Sequence, residues 1–234
     1  MSNLVGLTII EDDNITGIKS FLGDETKKSL VVLDCTGSLD GPVARLLDVK
    51  NIEFDRIGMT EINNTGIIYV FLKKNNLHAK AKAYGINIIQ KFISNVSFVL
   101  FFKPSHVYTE GAMKIYEDTL YAYPEIGACY SDFEIINSTQ GVGRQYLFPF
   151  SYEHLVNNTF LKDNLAIKME TLSRFEIDQR LQILEDHELS LRVARQCIIS
   201  HIPESLYSTD RSTFANVTEQ QYKDDIEYIK SKLT

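Results

Sequence analysis

Leu30-Val31-Val32-Leu33-Asp34-Cys35-Thr36-Gly37-Ser38-Leu39-Asp40-Gly41 decides the fold class. Four apolar, β-prone residues make a run that suits a buried strand. The Gly-, Ser- and Asp-rich segment behind it has turn chemistry, and Pro42 to Leu47 reads as a helix. Strand, turn and helix in that order are the unit of an open α/β sheet, whose ligands sit at the carboxyl ends of the strands. A carboxylate at such an end, here Asp34, can accept hydrogen bonds from a base or a ribose. A plain βα turn uses the same residues, and the segment alone does not separate the two.

Upstream, Leu4 to Ile10 is a second buried strand. It runs into the polar loop Glu11-Asp12-Asp13-Asn14 and a short helix, Ile15 to Leu22, with Asn14 or Thr16 as cap. Downstream, Asn51 to Ile57 and Ile67 to Leu72 read as strands. Lys73-Lys74-Asn75-Asn76-Leu77-His78-Ala79-Lys80-Ala81-Lys82 follows as the one dense basic stretch. A solvated charge run and a diphosphate site near a helix start both fit it. Ala79 to Phe92 reads as a helix. Lys80 and Lys82, two apart, do not share a face, so at most one of them points into a given site.

Val96 to Phe102 is the most β-prone run and the expected central strand. It stops at Lys103-Pro104-Ser105-His106, where Pro104 ends the ladder. Glu110 to Tyr121 is an amphipathic helix with Ala112, Ile115 and Leu120 inward. Gly127 to Tyr130 is a strand closed by Ser131-Asp132-Phe133-Glu134, and Gly141 to Pro149 reads as loop. Tyr152 to Asn157 and Leu161 to Asp163 are short helical or turn elements. Leu165 to Lys168 is a short strand, Glu170 to Arg174 a turn of helix, and Cys197 to Ile202 the last strand. Pro203 to Tyr207 then leads to Arg211. Thr218 to Leu233 is a charged helix with Tyr222, Ile226 and Ile229 on one side. Residues 1–216 are expected to form one domain, with 217–234 a helix packed on or extending from it.

Composition sets wider bounds. With 234 residues, 44% hydrophobic and 24% charged, the chain has ample material for a core. The net charge of −7 argues against a surface built for nonspecific nucleic-acid binding, though not against a local basic groove. Cys35, Cys129 and Cys197 are scattered and odd in number, which gives no disulfide framework and suits buried thiols in a reducing compartment. The start has no basic n-region, and the Val96 to Phe102 run is far too short to span a bilayer. The expected location is cytoplasmic, and Asn-x-Ser/Thr triplets such as Asn95-Val96-Ser97 read as chance matches.

Ile183-Leu184-Glu185-Asp186-His187-Glu188-Leu189-Ser190-Leu191-Arg192-Val193-Ala194 reads as an amphipathic helix opening on two adjacent carboxylates. Near the positive end of the macrodipole a carboxylate stays ionised, as a general base for a hydroxyl must. Simple helix capping uses the same pair. His78, His154 and His201 have no ligand-like partners in sequence and read as ordinary core or surface residues. The Phe148 to Tyr152 stretch is core or an aromatic acceptor wall.

The order of these pieces resembles the family-2 type glycosyltransferases of the GT-A fold, from about Leu4 to Arg211. Phe98-Val99-Leu100-Phe101-Phe102, Gly111-Ala112 and Tyr123-Pro124-Glu125-Ile126-Gly127-Ala128-Cys129-Tyr130-Ser131-Asp132 look like the family's middle strand, following helix and next strand. Ala166-Ile167-Lys168-Met169-Glu170 looks like its acceptor-side strand. Glu185-Asp186-His187-Glu188-Leu189-Ser190-Leu191-Arg192 and Ile202-Pro203-Glu204-Ser205-Leu206-Tyr207 match its Glu-Asp helix and closing run. Val31 to Gly41 is similar to its Asp-x-Gly-Ser turn with one residue inserted. Ala81-Lys82-Ala83-Tyr84-Gly85 is similar to Ala-Arg-Asn-x-Gly, with Lys for Arg and Ala for Asn.

The resemblance implies a single GT-A-like α/β domain, a mixed, mainly parallel sheet flanked by helices. It also implies a nucleotide-sugar donor, usually a UDP or GDP sugar, and an inverting transfer to an acceptor hydroxyl. Asp186 would be the general base, and Glu185 would orient the helix or bind acceptor. Glu11, Asp12 and Asp34 would meet the nucleoside and Lys82 the base or diphosphate. Phe148, Tyr152 and His187 would lie on the acceptor side. The acceptor would be a glycan, a lipid-linked sugar or another hydroxyl; a hydroxylated base in DNA, with the Lys73 to Lys82 stretch on phosphates, is a further alternative. The sequence leaves the oligomeric state open.

The chain departs from the family at its Asp-x-Asp, whose carboxylates hold Mg²⁺ or Mn²⁺ on the leaving diphosphate. Here the position reads Phe102-Lys103-Pro104-Ser105-His106. The closing run Asp210-Arg211-Ser212-Thr213 also lacks the family's frequent His ligand. Three readings stay open. Lys103, with His106, could supply the positive charge in place of the cation. Asp132-x-Glu134, also at a strand end, could hold a relocated metal. Or the chain could bind a nucleotide or glycan within an assembly without catalysis.

Overall fold

The computed structural model describes residues 4–11, 14–24, 26, 28–36, 45–46, 57–72, 78–137, 141–147, 149–159, 161, 164–210 and 218–233. In chain order the elements are β1 (Leu4–Ile10), α1 (Thr16–Gly23), β2 (Lys28–Asp34), β3 (Ile57–Ile62), β4 (Thr65–Phe71), α2 (His78–Phe92), β5 (Phe98–Phe101), β6 (Val107–Tyr108) and α3 (Ala112–Ala122). Then come β7 (Ile126–Asn137), β8 (Gly141–Gln145), α4 (Tyr152–Asn157), β9 (Ala166–Lys168), α5 (Met169–Leu172), α6 (Glu185–Ala194), β10 (Ile198–Asp210) and α7 (Glu219–Leu233). The strands form one mixed sheet in the order β3-β4-β2-β1-β5-β9-β7-β10-β6, with β8 on β7. It is an α/β fold, a mixed sheet with a parallel block β4-β2-β1-β5 flanked by helices.

β1 is buried along its whole length because helices cover both sheet faces. On one face Ile18, Phe21 and Leu22 of α1 meet Met113, Tyr116 and Leu120 of α3. On the other, Ala79, Ala81 and Ile89 of α2 join Leu155 of α4, Leu189 of α6 and Ile229 of α7. The parallel block β4-β2-β1-β5 sets the working edge. Its register pairs Ile10 with Asp34 and Leu7 with Phe101, so the residues after β1, β2 and β5 emerge together at one end of the sheet. α2 starts at that end. It lies close on the sheet because Gly85 has no side chain: a Cβ there would come within 2.6 Å of a Leu7 methyl.

Several boundaries differ from the sequence reading. Residues 51–56 lie outside the described residues, and the strand there, β3, is Ile57–Ile62. It pairs antiparallel with β4 through Asn63 and Asn64, both at positive φ (50° and 59°), which a two-residue hairpin turn requires and Asn tolerates. The expected strand ending at Tyr130 continues to Asn137 because β8, read as loop, pairs with it. β10 likewise runs past Pro203 to Asp210. The ladder shifts register between Ile202 and Ser205, so the missing Pro203 N–H falls at an irregularity, where proline is tolerated. The expected cap falls one residue off: Ile15 holds the N-cap position of α1 without a side-chain bond, and Asn14 accepts from Thr16. Of the expected helix Pro42 to Leu47 only 45–46 belong to the described residues, and of Leu161 to Asp163 only Leu161.

α7 lays Ile229 into the core with Tyr222 and Ile226 beside it. Tyr228 and Lys232 donate to Asp178 at 2.7 and 2.9 Å, and Lys232 to Glu188 at 2.7 Å. Among the described residues no helix is long and apolar enough to cross a membrane.

The loop after β5 is held by Gly17, whose N–H donates to Pro104 O at 2.6 Å. A Cβ on Gly17 would meet the His106 carbonyl at 2.3 Å, rigid backbone, whereas one on Gly85 meets movable leucine methyls. Gly17→Ala is therefore expected to cost about 2 kcal/mol. Gly85→Ala should cost clearly less, helped by alanine's helix preference of up to about 1 kcal/mol. Equal urea midpoints for the two variants would contradict this account.

Candidate active site

α2 and α6 bring opposite charges together at the carboxyl edge of β1 and β5. Lys82, one turn before the Gly85 contact, is 3% exposed. Its Nζ donates to Glu185 Oε1 at 2.8 Å and to Asp186 Oδ1 at 2.5 Å, and it lies 5.3 Å from the Phe101 ring centroid. His78, four residues earlier on the same helix face, places Nδ1 2.6 Å from Glu185 Oε1. Glu185 Oε2 is buried without a hydrogen-bond partner among the described residues. Leu7, Ile9, His78, Lys82, Phe101, Phe102, Lys103 and Asp186 line a cleft over this cluster.

The charges hold one another. Burial works against the Lys82 ammonium, but Asp186 and Glu185 outweigh it and raise its pKa. Burial pushes the Glu185 carboxyl up, while Lys82 and then His78 bring it well below the usual carboxylate range. His78 is opposed by burial and nevertheless raised above 6.5 by Glu185, with Lys82 lowering and Glu11 adding to it.

The residues expected at the site divide into groups. Glu185, Asp186, Lys82 and Lys103 come together, and Lys103 sits half-buried in the cleft wall. Glu11 is exposed at the end of β1, near enough to act on His78. Asp34 is buried at the end of β2, outside the cleft lining, and its oxygens are engaged within the chain. Thr36 N and Oγ1 donate to Oδ1 at 2.9 and 2.7 Å, and the Tyr69 hydroxyl donates to Oδ2. Between them, burial and then Glu11 and Asp34 push the Cys35 thiol up to about 12.

His106 does not reach the cleft; it is buried and stacks on Tyr207, ring centroids 4.5 Å apart. His187 is buried within α6. Tyr152 accepts from Arg195 Nε at 2.8 Å, beside the far end of α6, roughly 14 Å along the axis from Asp186. Asp12 and Phe148 lie outside the described residues, as do 73–77 of the basic stretch; Lys80 is exposed.

A divalent cation needs oxygen ligands, usually several carboxylates. The cleft lining offers one carboxylate, Asp186, already on Lys82. Asp132, the relocated candidate, accepts from Leu147 N and His201 Nε2, each at 2.8 Å, and lies 3.4 Å from an Arg144 nitrogen, while Glu134 is half-buried two residues on. No cluster of three His, Cys, Asp or Glu suited to a metal occurs among the described residues. The residues described do not fit a metal centre.

His78 and His201 both gain partners that the sequence reading did not assign them. For His78 the signal was its spacing from Lys82, four positions on one helix face; for His201 there was none, since Asp132 pairs with it only through the sheet.

No family model and no curated protein matches the sequence. Solved structures do match in fold. A mannosyltransferase from Pyrobaculum calidifontis, in complex with GDP-mannose and Mn²⁺, aligns over 96% of this chain and 68% of its own at a TM-score of 0.60 and 11% identity. GalNAc-T7, with UDP, GalNAc and Mn²⁺, aligns over 89% of this chain and 43% of its own, at 0.59 and 10%. The chain thus spans less than half the length of the second. At these identities the likeness is one of fold, and it is to GT-A glycosyltransferases.

Removing one member of a buried ion cluster leaves the others uncompensated. Lys82→Met is expected to cost about 3 kcal/mol or more at pH 7. Because His78 titrates higher folded than unfolded, its pairing is fully present below pH 6.5 and fades as pH rises through the raised value. The stability gap between the unaltered chain and His78→Gln should therefore be widest near pH 6 and close at higher pH. Urea titrations across pH 5.5 to 9 check the sign, and a gap that widens with pH would refute it.

Proposed function

We propose that this chain transfers a sugar from a nucleotide-sugar donor to an acceptor hydroxyl with inversion, and that Asp186 is the general base. The observation that carries the reading is the position of Asp186 at the α6 N-terminus, in a cleft walled by Lys82 and Lys103 at the carboxyl edge of β1 and β5. The fold relatives in complex with GDP-mannose and with UDP support a nucleotide-sugar donor.

The transfer balances simply. The acceptor oxygen bonds to the anomeric carbon as the bond to the nucleoside diphosphate breaks. Asp186 takes the acceptor's proton, and the diphosphate leaves with the electron pair. Lys103 and Lys82 supply the positive charge on that leaving group, fixed cations standing where the related fold uses a metal. Lys82 has a double duty. Its ammonium rests on Asp186, and the donor's diphosphate draws it off, leaving the carboxylate to the acceptor. Glu185 keeps Lys82 and His78 oriented.

One observation favours a second reading. A carboxylate 2.5 Å from a buried ammonium is a weakened base, which would suit a relative that binds a nucleotide sugar without turning it over.

The test is thermal melting against UDP and GDP sugars with Mn²⁺ or with EDTA, followed by turnover. A midpoint shift that survives EDTA is expected. A shift needing Mn²⁺ would remove the lysine role. Asp186→Asn should keep the shift and lose about 100-fold or more in turnover. A donor-binding chain with no turnover in either form would decide for the second reading.

A further inference from the structure

Resting on the reading of Asp186 as the base, we infer that Asp225 of α7 is a positioning residue for the Glu185–Asp186 pair, acting through the backbone that enters α6. α6 begins without a cap of its own: Leu184 holds the N-cap position and offers no side-chain hydrogen bond. A buried helix start without partners for its amides is costly. The amides that lead into that start, Gln182 to Leu184, find their partner on the terminal helix. Asp225, 3% exposed, accepts from Ile183 N at 2.8 Å and from Leu184 N and Gln182 N at 3.0 Å, all on Oδ2. Oδ1 takes a second contact from Gln182 N at 3.2 Å.

Three successive amides converging on one oxygen form a nest for an anion, and the anion is this carboxylate. Its described hydrogen bonds are to these amides and to no lysine or arginine, so its charge is spent on the backbone. The residue that follows the nest is Glu185, and the next is Asp186. The direction in which the chain leaves the nest sets where both carboxylates stand against Lys82 and His78. α7 has further anchors in Ile229, Tyr228 and Lys232, so it does not depend on Asp225 to stay docked. What depends on Asp225 is the segment that leads into α6.

The experiment is amide exchange at residues 182–184 with an NMR titration of the His78 imidazole, in the unaltered chain, Asp225→Asn and Lys232→Met. Asp225→Asn should speed exchange at 182–184 by about tenfold or more, as loss of a charge-assisted bond to backbone does. It should also lower the His78 midpoint, since Glu185 is the group that holds it up against burial, with Glu11 adding and Lys82 opposing. Lys232→Met should leave both unchanged. Wild-type exchange and an unmoved His78 in Asp225→Asn overturn the inference. Should that variant not fold, the unaltered chain decides: 182–184 must exchange no faster than the amides of α7, and clearly faster exchange overturns it.

Neither readout needs turnover, so a chain that transfers no sugar would sink the base reading and leave the clamp standing. In an active chain Asp225→Asn should lower kcat at unchanged donor KM, and Asp225→Glu should recover part of it. An unchanged kcat alongside fast exchange at 182–184 overturns the positioning role.

Discussion

A buried ammonium shared between two carboxylates ties this fold together at its working edge. Lys82 arrives on a helix that follows β4, and Glu185 and Asp186 arrive on one a hundred residues later. Sequestering these charges from water is expensive, and their mutual attraction repays it only with close geometry. That geometry is supplied from outside the cluster. Gly85 lets α2 down onto β1, and Asp225 fixes the backbone leading into α6. The cluster therefore reports on the docking of both helices.

Stability alone does not account for such a cluster. Well-packed apolar residues of similar volume would serve the fold as well or better. The arrangement makes sense as a place where charge has to change partners. An ammonium held between two carboxylates stays protonated, so any anion entering the cleft meets a full cation that is already desolvated. Lys103 adds a second cation to the lining of the cleft.

The framework was legible because buried strands announce themselves. Leu4 to Ile10, Leu30 to Leu33 and Val96 to Phe102 are apolar on both faces, and so are the strands they become. The errors share a cause. β8 is Gly-rich and polar, and β10 carries Pro203; each is strand only because β7 lies beside it, and pairing between distant segments leaves no mark on local pattern. The site follows the same division. The Glu185–Asp186 pair was visible as adjacent acids at a helix start. Lys82 was visible as a cation, but not as their partner, since the contact spans more than a hundred positions. His106 was grouped with Lys103 by nearness in sequence, whereas its ring stacks on Tyr207.

The ion cluster also links two events that a list of site residues would keep apart. Lys82 cannot serve an anion in the cleft and neutralise Asp186 at full strength at the same time. Whatever anion takes the ammonium raises the proton affinity of the carboxylate it leaves. Glu185, next to Asp186 on the same helix turn, keeps Lys82 from leaving altogether, because its Oε1 retains both Lys82 and His78 as neighbours. The Asp186 carboxylate is therefore a weak proton acceptor while Lys82 rests on it and a stronger one when an anion draws the ammonium away. That coupling needs no moving domain, only a side chain with two acids and one anion competing for it.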